Sequence, residues 1–327
     1  MVQRWPVHGA VLAMAFGVMA AAGAQQPWQP HKPVEIVVPT AAGGINDQLA
    51  RVIHKSFQDQ KITAPSVVMN KPGGNQAIAV VYLTQHPSDA HYLLYATPTL
   101  FTNQLAGLAP ARYDALTPLA LLLVEHTVFT VRADSPYRDM RDLLTQLKRD
   151  PDAVAFGMVS RGGPNHLALA QAVRASGVEP RRLKVAVFKT NAESMTGLVG
   201  GHLHAVASSL SAALPHVQAG RARILAITAP QRLTGPLAAV PTLAEQGVTV
   251  KVVSNWRAVF GARGLTQAQV AYWEEALENT IASEEWKRQM EASQLHTRYM
   301  RSGELADYLK AEYEATKLVM ADLGLAK

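Results

Sequence analysis

The chain has 327 residues, of which 48% are hydrophobic and 17% charged, which excludes a disordered polymer and suits one large or two ordinary domains. The formal charge of +6 is modest, and its densest basic group, Arg181, Arg182 and Lys184, reads as a solvated turn, so nucleic acid is not an expected partner. There is no cysteine, so stability cannot come from disulfides and must come from the core.

The N-terminal stretch differs from the rest. Arg4 forms a short basic region, His8 is the last strongly polar residue for some distance, and Gly9–Gly23 (GAVLAMAFGVMAAAG) is apolar. It ends in Ala22-Gly23-Ala24, the small-x-small pattern of an export cleavage site, and the run is short for a bilayer span of about 20 residues. The expectation is a signal peptide over residues 1–24, cleaved after Ala24, and a periplasmic mature chain. With no cysteine at that site to carry a lipid, the mature chain should be freely soluble.

After it, apolar strand-like runs alternate with amphipathic helix-like runs. Val34–Val38 reads as a first buried strand, and Asp47–Gln58 places Leu49, Val52, Ile53 and Phe57 at helical spacing. Further strands are predicted at Ser66–Met69, His91–Ala96, Leu119–Val124, Thr127–Arg132, Ala153–Val159, Leu183–Phe188, Leu203–Ser208 and Ile224–Ala229, with helices between most of them. Three helical stretches follow, at Gln267–Ser283, Glu284–Ser293 and Gly303–Leu323. The alternation predicts βαβ units and an α/β fold with parallel sheets.

Several strand-to-helix junctions share one chemistry. Pro39–Asp47 is rich in small residues; Thr97-Pro98 suits a helix start; Ser160–His166 contains Gly162, Gly163 and Pro164; Thr190–Glu193 has capping-box spacing. Strands of a parallel sheet end on one side, so these loops should gather at one edge. Each helix start offers unpaired N–H groups and the positive end of a dipole, and glycines let a ligand come close. Together they make an anion site with little fixed positive charge.

VVPTAAGGINDQLAR (Val37–Arg51) resembles the opening motif of the substrate-binding proteins of tripartite tricarboxylate transporters, the Bordetella-uptake-gene family. MNKPGGNQAIAV (Met69–Val80), Leu198–Arg232, VPTLAEQGV (Val240–Val248) and NWRAVFGARGLT (Asn255–Thr266) are similar to its later motifs, in the family's order. The resemblance implies a two-lobed type II periplasmic-binding fold, each lobe a mostly parallel sheet flanked by helices. Residues 25–125 with 248–327 would form one lobe and 126–247 the other. It further implies that a ligand is held by Thr40, Ala41, Gly43, Gly44, Asn46 and Asp47 of the first loop and by Thr97 and Thr99 of the next. The second lobe would contribute Ser160, Gly162, Gly163, Asn165 and His166, followed by Lys189 and Thr190. Amino-acid-binding relatives have an aspartate where this chain has Ser208; a neutral hydroxyl there favours a carboxylate without an amine, with di- or tricarboxylic acids the leading class. A second departure, Ile45 in place of a third glycine, either narrows the pocket or packs beneath the loop.

The expected role is therefore that of a monomeric binding protein that captures a small carboxylate and delivers it to membrane transporter subunits, with no cofactor, metal or catalytic residue. Other readings remain beside these. Asp47 can face a ligand or complement the helix dipole, and His166 can touch a carboxylate or be structural. His202 and His204 lack an evident third metal ligand. Arg257 can grip a carboxylate or form an ion pair within the first lobe. A signalling partner in place of a transporter, or a serine hydrolase using Ser160, are the alternative functions, although Gly157–Gly162 does not have the spacing of a nucleophile elbow.

Overall fold

The computed structural model describes residues 1–2, 28–61, 64–109, 111–251 and 254–327. Residues 3–24 of the expected signal peptide and its cleavage site lie outside the described residues. No helix among the described residues is long and apolar enough to cross a membrane.

The first sheet has six strands. β1 (Val34–Val38) pairs in parallel with β2 (Ser66–Asn70) on one side and β3 (Tyr92–Ala96) on the other. The valines and isoleucine of β1 are fully buried because helices cover both faces, and only the half-buried Glu35, which accepts from the Tyr82 hydroxyl, interrupts the apolar run. β4 (Thr117–Glu125) lies further out, and the remaining positions belong to chain that returns from the second sheet: β10 (Asn255–Gly261) between β3 and β4, and β11 (His296–Arg301) at the edge. Between the strands come α1 (Ile45–Asp59), α2 (Ala77–Thr84) and α3 (Thr99–Leu105). One face of the sheet is packed by Phe57, Trp273 and Trp286, the other by Phe101, Trp256 and Leu305. Trp273, Trp286 and Leu305 belong to the closing helices α8 (Gln267–Ala282), α9 (Glu284–Ser293) and α10 (Ser302–Asp322).

The second sheet is built from the intervening chain. Its five strands run in the order β7 (Lys184–Val187), β6 (Ala155–Met158), β8 (Ala205–Ser209), β5 (Thr127–Arg132), β9 (Ala222–Ile227). Around them lie α4 (Met140–Arg149), α5 (Pro164–Ala175), α6 (Asn191–Val199) and α7 (Leu210–Gln218). One residue, His126, separates β4 of the first sheet from β5 of the second. The two lobes also meet through an apolar contact in which Leu105, Val319, Met320 and Leu323 pack on Leu167 and Ala170 of α5.

The two-lobed α/β architecture agrees with the expectation, and most elements fall within two residues of it. Most strands of each sheet run in one direction, as expected: β6 pairs in parallel with β7 and β8, as β1 does with β2 and β3, while β10 and β5 run antiparallel to their neighbours. The cause is topological, since β5 and β10 each enter a sheet directly from the other lobe rather than through a βαβ crossover. Neither β10 nor β11 was anticipated. β10 carries Asn255, Arg257 and Gly261 within a fully buried segment, and β11 is a polar edge strand; neither shows the apolar signature of a core strand.

Candidate functional site

The first loop is shaped by its own helix. Gly43 has φ +85°, a conformation that L side chains rarely adopt, and its N–H donates to Asp47 Oδ2 at 3.0 Å. The same carboxylate accepts from Arg51 through Nε (2.9 Å) and Nη2 (3.1 Å) and from Asn70 Nδ2 at 3.0 Å, while Asn70 Nδ2 also reaches Thr40 O. Burial alone would raise the Asp47 pKa; the bonds from Arg51, Gly43 and Asn70 outweigh it and hold the group below the usual carboxylate value. With Gly44 as N-cap, the first turn of α1 then presents Ile45 and Asn46. The Thr40 hydroxyl is buried and has no protein partner.

The segment after β2 forms a second wall. Gly73, Gly74, Asn75 and Gln76 all have positive φ (121°, 55°, 51° and 78°), an unusual run for residues two of which are not glycine. Gln76 repays this by bonding Thr97 at three atoms: its Nε2 donates to Thr97 O and Oγ1, and its Oε1 accepts from Thr97 N. Asn75 Nδ2 crosses to the other lobe and donates to Arg161 O at 3.1 Å.

Opposite lie the two junctions of the second lobe. Gly162 (φ +82°) and Gly163 lead into α5, with Pro164 at the helix start. Thr190 caps α6, its side chain accepting from Glu193 N at 3.1 Å, and Glu193 Oε2 accepts from Lys189 N. These turns face those of the first lobe directly. A Cβ placed on Gly44 would lie 3.5 Å from Thr190 Cγ2, and one on Gly163 would lie 3.5 Å from Thr99 Oγ1.

The crevice between the turns holds two connected chambers. The narrower, about 280 Å³, is lined by Thr40, Asn46, Thr97, Thr99, Ser160, Gly163, Asn165 and Lys189, together with Gln76, Asn191, Asn255 and Arg257. The wider, about 460 Å³, is lined by Thr40, Gly43, Gly44, Asn46, Lys189 and Thr190, together with Ile45 and parts of α7 and α9. Thr40, Asn46, Val159, Lys189 and Asn191 line both and so form a throat.

Beneath the chambers a chain of hydrogen bonds runs from one lobe to the other. Arg257 donates from Nε to Asn46 Oδ1 (2.8 Å) and from Nη2 to Glu125 Oε2 (3.0 Å), both charged side chains being almost fully buried. Glu125 Oε1 accepts from Ser211 N and Oγ. Ser211 Oγ meets Ser209 Oγ, which accepts from Asn191; Asn165 in turn donates to Asn191 Oδ1 and accepts from Thr127 Oγ1. The ends of α1, α5 and α6 are thus tied to one buried ion pair. Arg257 forms the ion pair within the first lobe that was one of its two sequence readings.

Five expected contacts do not reach these chambers. Asp47 turns back onto its own loop, its oxygens already occupied by Gly43, Arg51 and Asn70. Ala41 lies outside both linings. His166 accepts the Gly162 N–H at Nδ1 (2.9 Å), and burial, with Arg161 adding to it, lowers its pKa to about 4, so it is neutral at neutral pH. With Gly162 it lines a separate cavity of about 210 Å³ behind the loop, near Met320 and Leu323. Ser208 is fully buried, its hydroxyl donating to Ser209 O beside Met195 Sδ; neighbours on a strand point to opposite faces, so Ser209 is the residue turned towards the crevice network. The argument from Ser208 against an amine therefore loses its geometric basis. Conversely, sequence reasoning passed over Gln76, Asn191, Asn255 and Glu125; the only signals were a polar residue in a glycine-rich turn and a charge at the end of an apolar strand.

Among the described residues no group of three or more His, Cys, Asp or Glu side chains could hold a metal ion. His204 is spent on structure, its Nδ1 accepting from Ala155 N at 3.0 Å.

Two α/β lobes, joined at a short crossover and facing each other across a crevice of helix starts, are the architecture of a periplasmic binding protein. A model described as "Tripartite tricarboxylate transporter family receptor" matches residues 49–325, and the chain belongs to that family. Protein BugT of Bordetella pertussis is 28% identical over 247 residues, covering 72% of each chain. Among solved structures, R. palustris Rpa4515 with adipate superposes with a TM-score of 0.82 at 24% identity, over 91% of this chain and 99% of that one. MatC of Rhodopseudomonas palustris with bound malate gives 0.79 at 21% identity, over 89% and 99%.

Proposed function

We propose that this chain is a solute receptor that captures a small organic carboxylate in the crevice, a di- or tricarboxylate being the first class to test, and presents it to the membrane subunits of a tripartite transporter from the periplasm. The observation that carries this reading is the convergence of the starts of α1, α5 and α6 on one crevice, with the unpartnered Thr40 hydroxyl at its throat. Around it stand neutral donors, Thr97, Thr99, Ser160, Asn165 and Asn191, while Lys189 adds a single cation and the charge of Arg257 is offset by Glu125. Such a site suits an anion that must be held and later released. The solved relatives with adipate and with malate are carboxylate complexes on the same fold, and they support the reading.

In this mechanism the carboxylate docks on the Thr40–Asn46 loop of the open protein. The lobes then turn about His126, bringing Ser160, Gly163, Lys189 and Thr190 onto the ligand's far side. The ligand acts by favouring the closed arrangement, which the membrane partner would read. A hydrolase finds no support, since the nitrogen of His166 that would serve as base already accepts the Gly162 N–H.

The deciding experiment is calorimetry or thermal shift across mono-, di- and tricarboxylates and amino acids. A binding acid should stabilise the fold by about 2.7 kcal/mol at a hundredfold excess over its Kd. A panel in which only amino acids, or nothing, stabilise the protein would overturn the proposal.

A further inference from the structure

The cavity of about 210 Å³ behind the Gly162 turn lies in the seam between the lobes and shares no lining residue with either chamber of the crevice. Thr102, Asn103 and Ala106 of one lobe face Arg161, His166 and Ala170 of the other across it, and Met320, Leu323 and Leu325 close one side. Leu108 adds to the apolar wall. Most of the polar groups here are already engaged. Thr102 Oγ1 donates to Thr99 O, Asn103 Nδ2 to Gly74 O and Asn75 O, and Arg181 Nη2 to Gly324 O. His166 and Arg161 are the exceptions. His166 is 7% exposed, and its Nδ1 accepts the Gly162 N–H, so the neutral ring carries its proton on Nε2. That Nε2–H has no hydrogen-bond partner among the described residues, nor is it sealed in protein, so it opens on the cavity that the ring lines. The exposed Arg161 guanidinium lies near the same ring and has no hydrogen-bond or ion-pair partner among the described residues. No aspartate or glutamate among them lines the cavity.

We infer that this cavity is a second ligand site, separate from the crevice, for a small monocarboxylate with a compact apolar body. The carboxylate accepts the His166 Nε2–H and faces the Arg161 guanidinium, while the body packs on Ala106, Ala170, Met320 and Leu323. A purely apolar occupant would leave the buried N–H unpaired, and a cation would meet Arg161 and Arg181. Size sets the body, since an apolar cavity of about 150 Å³ already takes a benzene ring, so a six-membered ring fits here. The site stands whether or not the crevice takes a carboxylate.

Titration calorimetry of the whole protein with cyclohexanecarboxylate, acetate and cyclohexylmethanol tests this. The ring acid should bind about a hundredfold more tightly than acetate, which has the head alone. It should bind about tenfold more tightly than the alcohol, which has the ring without the charge. Ala106→Phe, at a partly exposed position, fills the cavity and should abolish binding of the ring acid. Arg161→Glu, at an exposed position with no partner to lose, tests the charge without risk to the fold and should weaken the ring acid about tenfold. Lys189→Glu, in the throat of the crevice, should leave its affinity unchanged. The absence of saturable binding, binding that survives both Ala106→Phe and Arg161→Glu, or binding lost in Lys189→Glu overturns the second site. The last of these moves the acid to the crevice and leaves the carboxylate reading of that site standing.

Discussion

Asp47 and His166 show how single side chains shape the crevice without entering it. Asp47 is acidic in the first turn of α1, where dipole and ligand roles are both available to a sequence; its carboxylate instead pins Gly43 in the left-handed conformation. Asp47→Asn removes the charge from four hydrogen bonds, one partner of which is the half-exposed Arg51. The expected cost is about 1–2 kcal/mol in urea unfolding, with weaker ligand binding because the loop loses its shape. Unchanged stability and affinity would show that the loop holds itself. His166 gives a pH signature. Its folded pKa, about 4, lies below its ordinary 6.5, so the neutral form is favoured on folding. That contribution is complete above pH 6.5, declines as pH falls through the interval, and is gone below about 4, amounting to roughly 3 kcal/mol. Urea midpoints should fall less steeply between pH 6.5 and 4 in His166→Gln than in the unaltered protein, and equal slopes would contradict the assignment.

At the scale of elements, the junctions were legible because their chemistry is local. Glycines 43 and 162 occupy positive φ where a turn demands it, and Thr190 caps α6 at the spacing its sequence announces. Thr190→Ala should cost about 1 kcal/mol, measured by denaturant unfolding, as loss of an N-cap does elsewhere; no change would mean the neighbouring Lys189 N–H bond to Glu193 suffices. What was not legible depends on facing and burial. Ser208 and Ser209 are equivalent in a string of letters, and a single step along β8 decides which one meets Asn191. β10 could not be read as a central strand because its polar residues are satisfied partly by one another, Arg257 donating to Asn255 Oδ1, and partly by Asn46 of α1 and Glu125 of β4, which only the fold brings to Arg257. Asn46, Asn165, Asn191, Ser209 and Ser211 join one network through Glu125 and Arg257, and apart from the neighbouring Ser209 and Ser211 the partners are distant in sequence and near only in the fold.

At the scale of the whole molecule, the ion pair of Glu125 and Arg257 lies beside the crossover and supports both lobes. Removing one partner strands a buried charge. Glu125→Gln should therefore destabilise the protein by about 3–5 kcal/mol, while combining it with Arg257→Met should restore a large part of that loss. Urea midpoints of the two single variants and the double variant form the test, and strictly additive effects would mean that the two side chains do not act as a pair. Further contacts tie the lobes at the opposite end, where Arg181 reaches Gly324 O and Arg174 reaches Asp322 O.

The single residue between β4 and β5 has a mechanical consequence. A strand that leaves one sheet and enters the next with only His126 between them cannot stretch, so it fixes a pivot and leaves bending as the available freedom. The lobes would bend apart about this spine only as the Arg181–Gly324 and Arg174–Asp322 contacts let go, with little sliding of one over the other.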